Sequence, residues 1–168
     1  MPQVKGPDEC IDKHKVDDEV LKDLAPDSGF RLLKNGLYPF QSIEFRCVDV
    51  DAMLGKSEKS PKCHYAWIKF NVRKALSFLS DFGPIMVVYG PHTRNNFQSS
   101  MHFSLNHTIH YHVPEFNASE WILVEFESTK SNNGRSFTRC RYWNQDGKLI
   151  ASACQECLMR TRGPVSIM

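Results

Sequence analysis

The residues of this chain that could do chemistry are few and far apart: Asp81, Ser104, the pair Asn106-His107, His110 and His112, and the run Cys154-Gln155-Glu156-Cys157. A serine needs an adjacent base to act as a nucleophile. Ser104 lies in no Gly-x-Ser-x-Gly elbow, and the chain contains none. Taken as one regular strand, Met101–Val113 places Ser104, Asn106, Thr108, His110 and His112 on one face and His107 on the other. His110 then stands roughly 20 Å along the strand from Ser104, at about 3.3 Å per residue, so no local Ser–His couple is expected. Cys154 and Cys157 match Cys-x-x-Cys, but an offset of three on a strand turns the two thiols to opposite faces, which argues against a shared metal or redox site. His110 and His112 share a face without a carboxylate or cysteine beside them in sequence, and read as surface or interface histidines. From the residues alone Asp81 reads first as a helix N-cap, with a functional carboxylate as the second reading. Arg139 and Arg141, and Arg160 with Arg162, fit either a phosphate-bearing ligand or a solvated strand face.

These residues need elements to bring them together. Ile43–Val50 alternates apolar and polar residues as a half-buried strand does, and Cys63–Val72 is a second strand with bulky residues on both faces. Ala52–Lys62 between them reads as a polar loop. Arg73–Tyr89 has its apolar residues at the spacing of a buried helix, interrupted by Gly83-Pro84. Either the helix kinks there, or a new helical segment starts near Asp81 with Pro84 in its first turn. After the loop Gly90–Ser99 come four strand candidates, Met101–Val113, Glu120–Thr129, Ser136–Asn144 and Lys148–Arg160. Asn132-Asn133-Gly134 and Gln145-Asp146-Gly147 are turn signals, the second fitting a tight hairpin. An antiparallel sheet of about six strands wrapped around one long helix is the economical packing for this order, an α+β arrangement.

Residues 1–40 are rich in charge, proline and glycine and read as a weakly ordered arm, with one short amphipathic stretch from Val16 to Leu24 that can be helical. Residues 1–28 carry 8 acidic side chains against 4 lysines, so the net charge of +2 conceals a basic remainder suited to polyanions. That charge is too small to argue for nucleic acid. No apolar run approaches the roughly 20 residues of a bilayer span, and no N-terminal apolar segment suggests a signal peptide. Six scattered cysteines read as reduced intracellular thiols. Asn106-His-Thr and Asn117-Ala-Ser then read as chance glycosylation matches.

Three stretches carry a family resemblance. They are Ser80-Asp81-Phe82; Ser104-Leu105-Asn106-His107 running on to His112; and Trp121–Ser128 through Gln145-Asp146-Gly147 to Ala151-Ser152-Ala153-Cys154-Gln155-Glu156. Over roughly residues 40–162 the chain resembles the second hotdog domain of the type II acyl-CoA thioesterases, the group of bacterial thioesterase II and the peroxisomal acyl-CoA thioesterases. The resemblance implies a hotdog fold over 41–162, a linker or arm over 1–40 and a tail over 163–168. It implies hydrolysis of fatty acyl-CoA, in fatty acid and lipid metabolism, by a water held between Asp81, Ser104 and Gln155, with no cofactor or metal. Backbone N–H groups near Phe82 and Gly83 are candidates for the oxyanion, and Asn106, His107, Arg139, Arg141 and Arg160 for the substrate, the arginines for the coenzyme A phosphates. One departure stands out: the family's Asp-His pair reads Asn106-His107 here.

Members of the family usually join two hotdogs in one chain, and the first is absent here. A truncated form, a fragment and a natural single-domain form all fit. A lone hotdog is expected to pair with a second copy or another hotdog. The resemblance implies a peroxisomal location, with the cytoplasm as the other intracellular choice; the terminal Ser-Ile-Met lacks the basic middle residue of a peroxisomal tail. Two other readings remain: a non-catalytic half, structural or acyl-CoA-binding, motivated by Asn106 and by the missing first hotdog, and a hydratase on the same fold, for which His107 is the only tempting base.

Overall fold

A computed structural model of the chain describes residues 1–16, 21, 34, 43–54, 57, 62–70, 75–88 and 99–161. Seven strands are present among them: β1 Ile11–Asp12, β2 Ile43–Cys47, β3 Cys63–Phe70, β4 Ser99–Tyr111, β5 Ile122–Asn132, β6 Arg135–Trp143 and β7 Leu149–Thr161. They form one antiparallel sheet in the order β1-β2-β3-β5-β6-β7-β4. A short helix, α1 (Val50–Met53), follows β2, and the long helix, α2 (Ala75–Val88), lies between β3 and β4. This is the expected hotdog, with α2 packed across β5, β6, β7 and β4.

The sequence dictates how α2 lies. Leu76, Leu79, Ser80, Gly83, Pro84, Val87 and Val88 are buried, a stripe at spacings of three and four that faces the sheet. It shares one core with Phe45, Ile68, Phe70, Ile122 and Phe126, all buried. Each such side chain contributes about 1.5–3 kcal/mol by leaving water. The helix runs unbroken through Pro84, so no second segment starts at Asp81. Asp81 is mid-helix, which removes the N-cap alternative for it.

Several particulars bear on the sequence-based expectations. Residues 11–12 add a strand on the free edge of β2, pairing Ile11 with Cys47 and Asp12 with Arg46. The arm is tied down beyond that: Lys13 is 1% exposed with its Nζ 2.8 Å from the Ile43 carbonyl, and Trp67 Nε1 donates to the Lys5 carbonyl at 2.8 Å. A two-residue strand leaves no alternation to read, so residues 1–16 looked like a linker. The expected polar loop after β2 begins with α1, because Asp49 Oδ1 accepts from Ala52 N at 2.9 Å and caps the turn. Both turn signals close tight hairpins, the second as expected: Gly147 N donates to the Asn144 carbonyl and Asn144 N to the Lys148 carbonyl, both at 3.0 Å, while Asn133-Gly134, with φ values of 51° and 72°, is a primed two-residue turn. The expected helix from Val16 to Leu24 falls mostly outside the described residues, as does most of the loop Gly90–Ser99.

The last difference matters most. Along β4 and β7, Ser104 pairs with Cys157 but Asn106 pairs with Glu156, so Leu105 is an extra residue in β4. Such a bulge reverses the alternation of everything after it. His107 pairs with Gln155 and therefore shares the helix-facing side with Ser104, contrary to the regular-strand expectation.

With that bulge counted, the helix-facing side divides into two halves. One row across β5, β6, β7 and β4 is Ser128, Thr138, Gln155 and His107, and the next is Ser131, Ser136, Cys157 and Ser104. In the other direction the rows turn apolar, with Phe126, Cys140, Ala153 and Ile109. The helix thus lies over an apolar floor at one end and a polar floor at the other.

Candidate active site

Three of the sequence candidates meet over the polar floor. Gln155, fully buried on β7, donates through Nε2 to Ser104 Oγ at 2.7 Å and to Asp81 Oδ1 in a very short contact. Ser104 Oγ also donates to the same Asp81 Oδ1, at 3.2 Å. A helix, an edge strand and its neighbour therefore each contribute one side chain to a closed triangle. Asp81 and Ser104 are exposed. Two acceptors stay uncommitted among the described residues: the second carboxylate oxygen of Asp81, and Gln155 Oε1, which is buried without a hydrogen-bond partner. A carboxylate oriented by two donors, next to an unsatisfied acceptor, can position and deprotonate a water.

Around the triangle lie residues that sequence reasoning missed. Ser80 Oγ donates to the Ser77 carbonyl at 2.7 Å and lies 3.0 Å from His107 Nε2; Ser77 Oγ is 2.6 Å from Tyr111 Oη. Ser77, Ser80 and Asp81, at offsets of three and one, tie one side of α2 to β4 and β7. The signal for Ser80 was its position one before Asp81 on the predicted helix. Cys157 lies across from Ser104, and burial pushes its thiol up to about 11. It is a thiol at neutral pH and a poor nucleophile. Cys154 is on the opposite face and partly exposed, as the offset of three requires.

The family described as acyl-CoA thioesterase C-terminal domain matches residues 17–159 of this chain. The chain belongs to that family. It is 28% identical over 180 residues to human acyl-coenzyme A thioesterase 8, covering 99% of this chain and 54% of that protein. It is 32% identical over 112 residues to acyl-CoA thioesterase 2 of Haemophilus influenzae, covering 61% of this chain and 39% of that one. An acyl-CoA thioesterase II from Mycobacterium marinum has a similar structure, with a TM-score of 0.68 and 20% identity over 97% of this chain and 56% of the other. A hotdog protein from Alicyclobacillus acidocaldarius gives 0.63 at 17% identity, over 98% of this chain and 55% of the other. These two likenesses concern the fold. The chain spans about half the length of the thioesterase 8 relatives it matches.

The remaining candidates of this acyl-CoA thioesterase C-terminal domain are not gathered at the triangle. Phe82 and Gly83 are inside α2, where backbone N–H groups ordinarily serve the helical ladder. Asn106 is on the far face, where its Nδ2 donates to Glu156 Oε2 at 3.3 Å and its Oδ1 accepts from Glu156 N at 3.2 Å. Arg135 Nη1 holds the other Glu156 oxygen at 2.7 Å. An amide suits this spot because an aspartate would face the Glu156 carboxylate. Arg139, Arg141 and Arg160 also occupy the face turned from Asp81. Arg141 is paired with Glu125 at 2.9 Å and Glu127 at 3.7 Å, Arg139 lies 5.7 Å from the Phe137 ring centre, and Arg160 Nη1 donates to the Met159 carbonyl at 3.1 Å. His110 and His112 are exposed, with His112 Nε2 2.9 Å from Ser152 Oγ. No described helix is long and apolar enough to cross a membrane.

Proposed function

We propose that this chain hydrolyses fatty acyl-CoA to the free acid and coenzyme A. The single observation that carries the proposal is the contact of Asp81, Ser104 and Gln155 within a domain of this family. The uncommitted oxygen of Asp81 takes a proton from water, and the water oxygen attacks the thioester carbonyl carbon. The C–S bond then breaks and the sulfur leaves as thiolate, which regains the proton. Ser104 and Gln155 hold the carboxylate, and Gln155 Oε1 accepts from the incoming water. A positioned acid–base group is worth roughly 10²–10⁴-fold; Phe82 and Gly83 lie within an unbroken helix, which argues against their N–H groups as oxyanion donors. Arg139, Arg141 and Arg160 lie on the sheet face turned from Asp81, which gives no support to them as ligands of the coenzyme A phosphates.

The edge strand β4 exposes Met101, Phe103 and Leu105, and an open edge with apolar side chains favours pairing with a second copy or another hotdog. The resemblance to peroxisomal members supports a peroxisomal location over a cytoplasmic one.

A second reading gains support from the bulge at Leu105. His107 now shares Asp81's side of the sheet, so a hydratase acting on an enoyl thioester has both an imidazole and a carboxylate within the same region. The non-catalytic reading loses one of its two motives, since Asn106 does not touch the triangle, and keeps the other, the chain's spanning about half of its relatives. One experiment separates all three: incubate the chain with saturated and enoyl-CoA substrates, assay free thiol and identify the acyl product. Free thiol that disappears in Asp81→Asn supports hydrolysis. A 3-hydroxyacyl thioester indicates hydration, and saturable binding without any product indicates a non-catalytic half.

A further inference from the structure

The turn of α2 that carries Asp81 lacks one of its ladder hydrogen bonds. Pro84 has no N–H, so the helix cannot close the usual bond onto the Ser80 carbonyl. Beside that defect stands His107, on the polar floor. Ser80 has one hydroxyl proton, and it is directed to the Ser77 carbonyl at 2.7 Å. The 3.0 Å approach of His107 Nε2 to Ser80 Oγ therefore needs a proton on the imidazole nitrogen. His107 is the donor, and its Nε2 is occupied by the helix.

We infer that His107 is a positioning residue: it braces the Pro84-weakened turn through Ser80 and so sets the height of Asp81 above Ser104 and Gln155. This rests on the thioesterase reading and replaces contact with substrate as the role of His107. The bulge at Leu105 is what makes it possible, since without the extra residue His107 would face away from α2. The far side of the same turn is fixed by packing: a Cβ on Gly83 would come 2.8 Å from Phe126 Cε1. Between a ring on one side and an imidazole donor on the other, the Asp81 turn has little freedom. A displacement of about 1 Å at a catalytic group can cost roughly 10²-fold in rate.

The test is steady-state thiol release by the wild type, His107→Leu, His107→Gln, Ser80→Ala and the His107→Leu/Ser80→Ala double variant. Gln keeps an N–H donor near the place of Nε2, and Ser80→Ala introduces no bulk if the Leu variant fails to fold. Expected are kcat losses of about 10²-fold for Leu and Ala with KM little changed, recovery of most of the loss by Gln, and a double variant no worse than either single one. A rise in KM with kcat retained, a Gln variant no better than Leu, or additive losses would overturn the inference. If the wild type releases no thiol, it is the thioesterase reading that fails, and the brace is judged on histidine nitrogen-15 NMR at about pH 8, where an ordinary imidazole is neutral. A His107 ring protonated at Nε2 in the wild type and scrambled in Ser80→Ala upholds the brace; a ring protonated at Nδ1, or unaffected by Ser80→Ala, rejects it.

Discussion

Ser104 and His107 point to the same side of the sheet although they are three positions apart, because β4 accommodates Leu105 as an extra residue between its pairings with Cys157 and Glu156. Side chains three apart on a regular strand face opposite ways. One inserted residue thus decides whether the floor beneath Asp81 holds an imidazole.

The triangle predicts a shared loss. Asp81→Asn keeps the size and removes the base, and thiol release should fall roughly 10²–10⁴-fold. Adding Ser104→Ala or Gln155→Ala to that variant should cost little more, because the three act as a unit. Full activity in Asp81→Asn, measured by the same assay, would show that another group activates the water.

Asn106→Asp restores the residue usual in the family but sets a carboxylate against Glu156. Like charges opposed across two strands destabilise, here by about 1 kcal/mol or less since Arg135 shares the cluster. The urea midpoint should drop slightly and kcat should hold, because the amide is on the face away from Asp81. A marked gain in kcat would mean that the aspartate acts on the site from a distance.

Gly83→Ala inverts a common rule. Alanine normally favours a helix interior over glycine by about 1 kcal/mol. Here its Cβ would stand 2.8 Å from a buried phenylalanine ring, and overpacking costs about 1–3 kcal/mol. The net effect should be a lower thermal midpoint, together with slower thiol release as the Asp81 turn shifts. Phe126→Leu should recover part of the loss caused by Gly83→Ala; a Gly83→Ala protein more stable than wild type refutes the tight contact.

His64 gives a pH dependence of stability. It is 4% exposed with Nδ1 unpartnered, and burial holds it below the usual 6.5 despite the Asp49 carboxylate, which pulls the other way. The unfolded chain then takes up the proton more readily than the folded one. Stability should fall as pH drops through 6.5, and His64 should add nothing further once the pH lies below its folded value. His64→Leu should flatten that part of a plot of urea midpoint against pH, and an unchanged slope would place the acid sensitivity elsewhere.

The amino-acid sequence by itself determined the order of the strands from Ile43 onward and the buried stripe of α2, because periodicity is a local property; Asp81, Ser104 and Gln155 were joined as one site only by the family resemblance. The sequence also separated Cys154 from Cys157, since nothing interrupts β7 between them. The position of the bulge was not legible, because Leu105 differs in no local way from a regular strand residue and only pairing with β7 reveals it as extra. The same holds for Asn106, whose partner Glu156 is 50 residues away, and for the arm, whose two-residue strand exists because β2 leaves an edge to pair with. Tertiary structure decided these points, since each depends on which backbone lies beside which and the linear sequence carries no record of that.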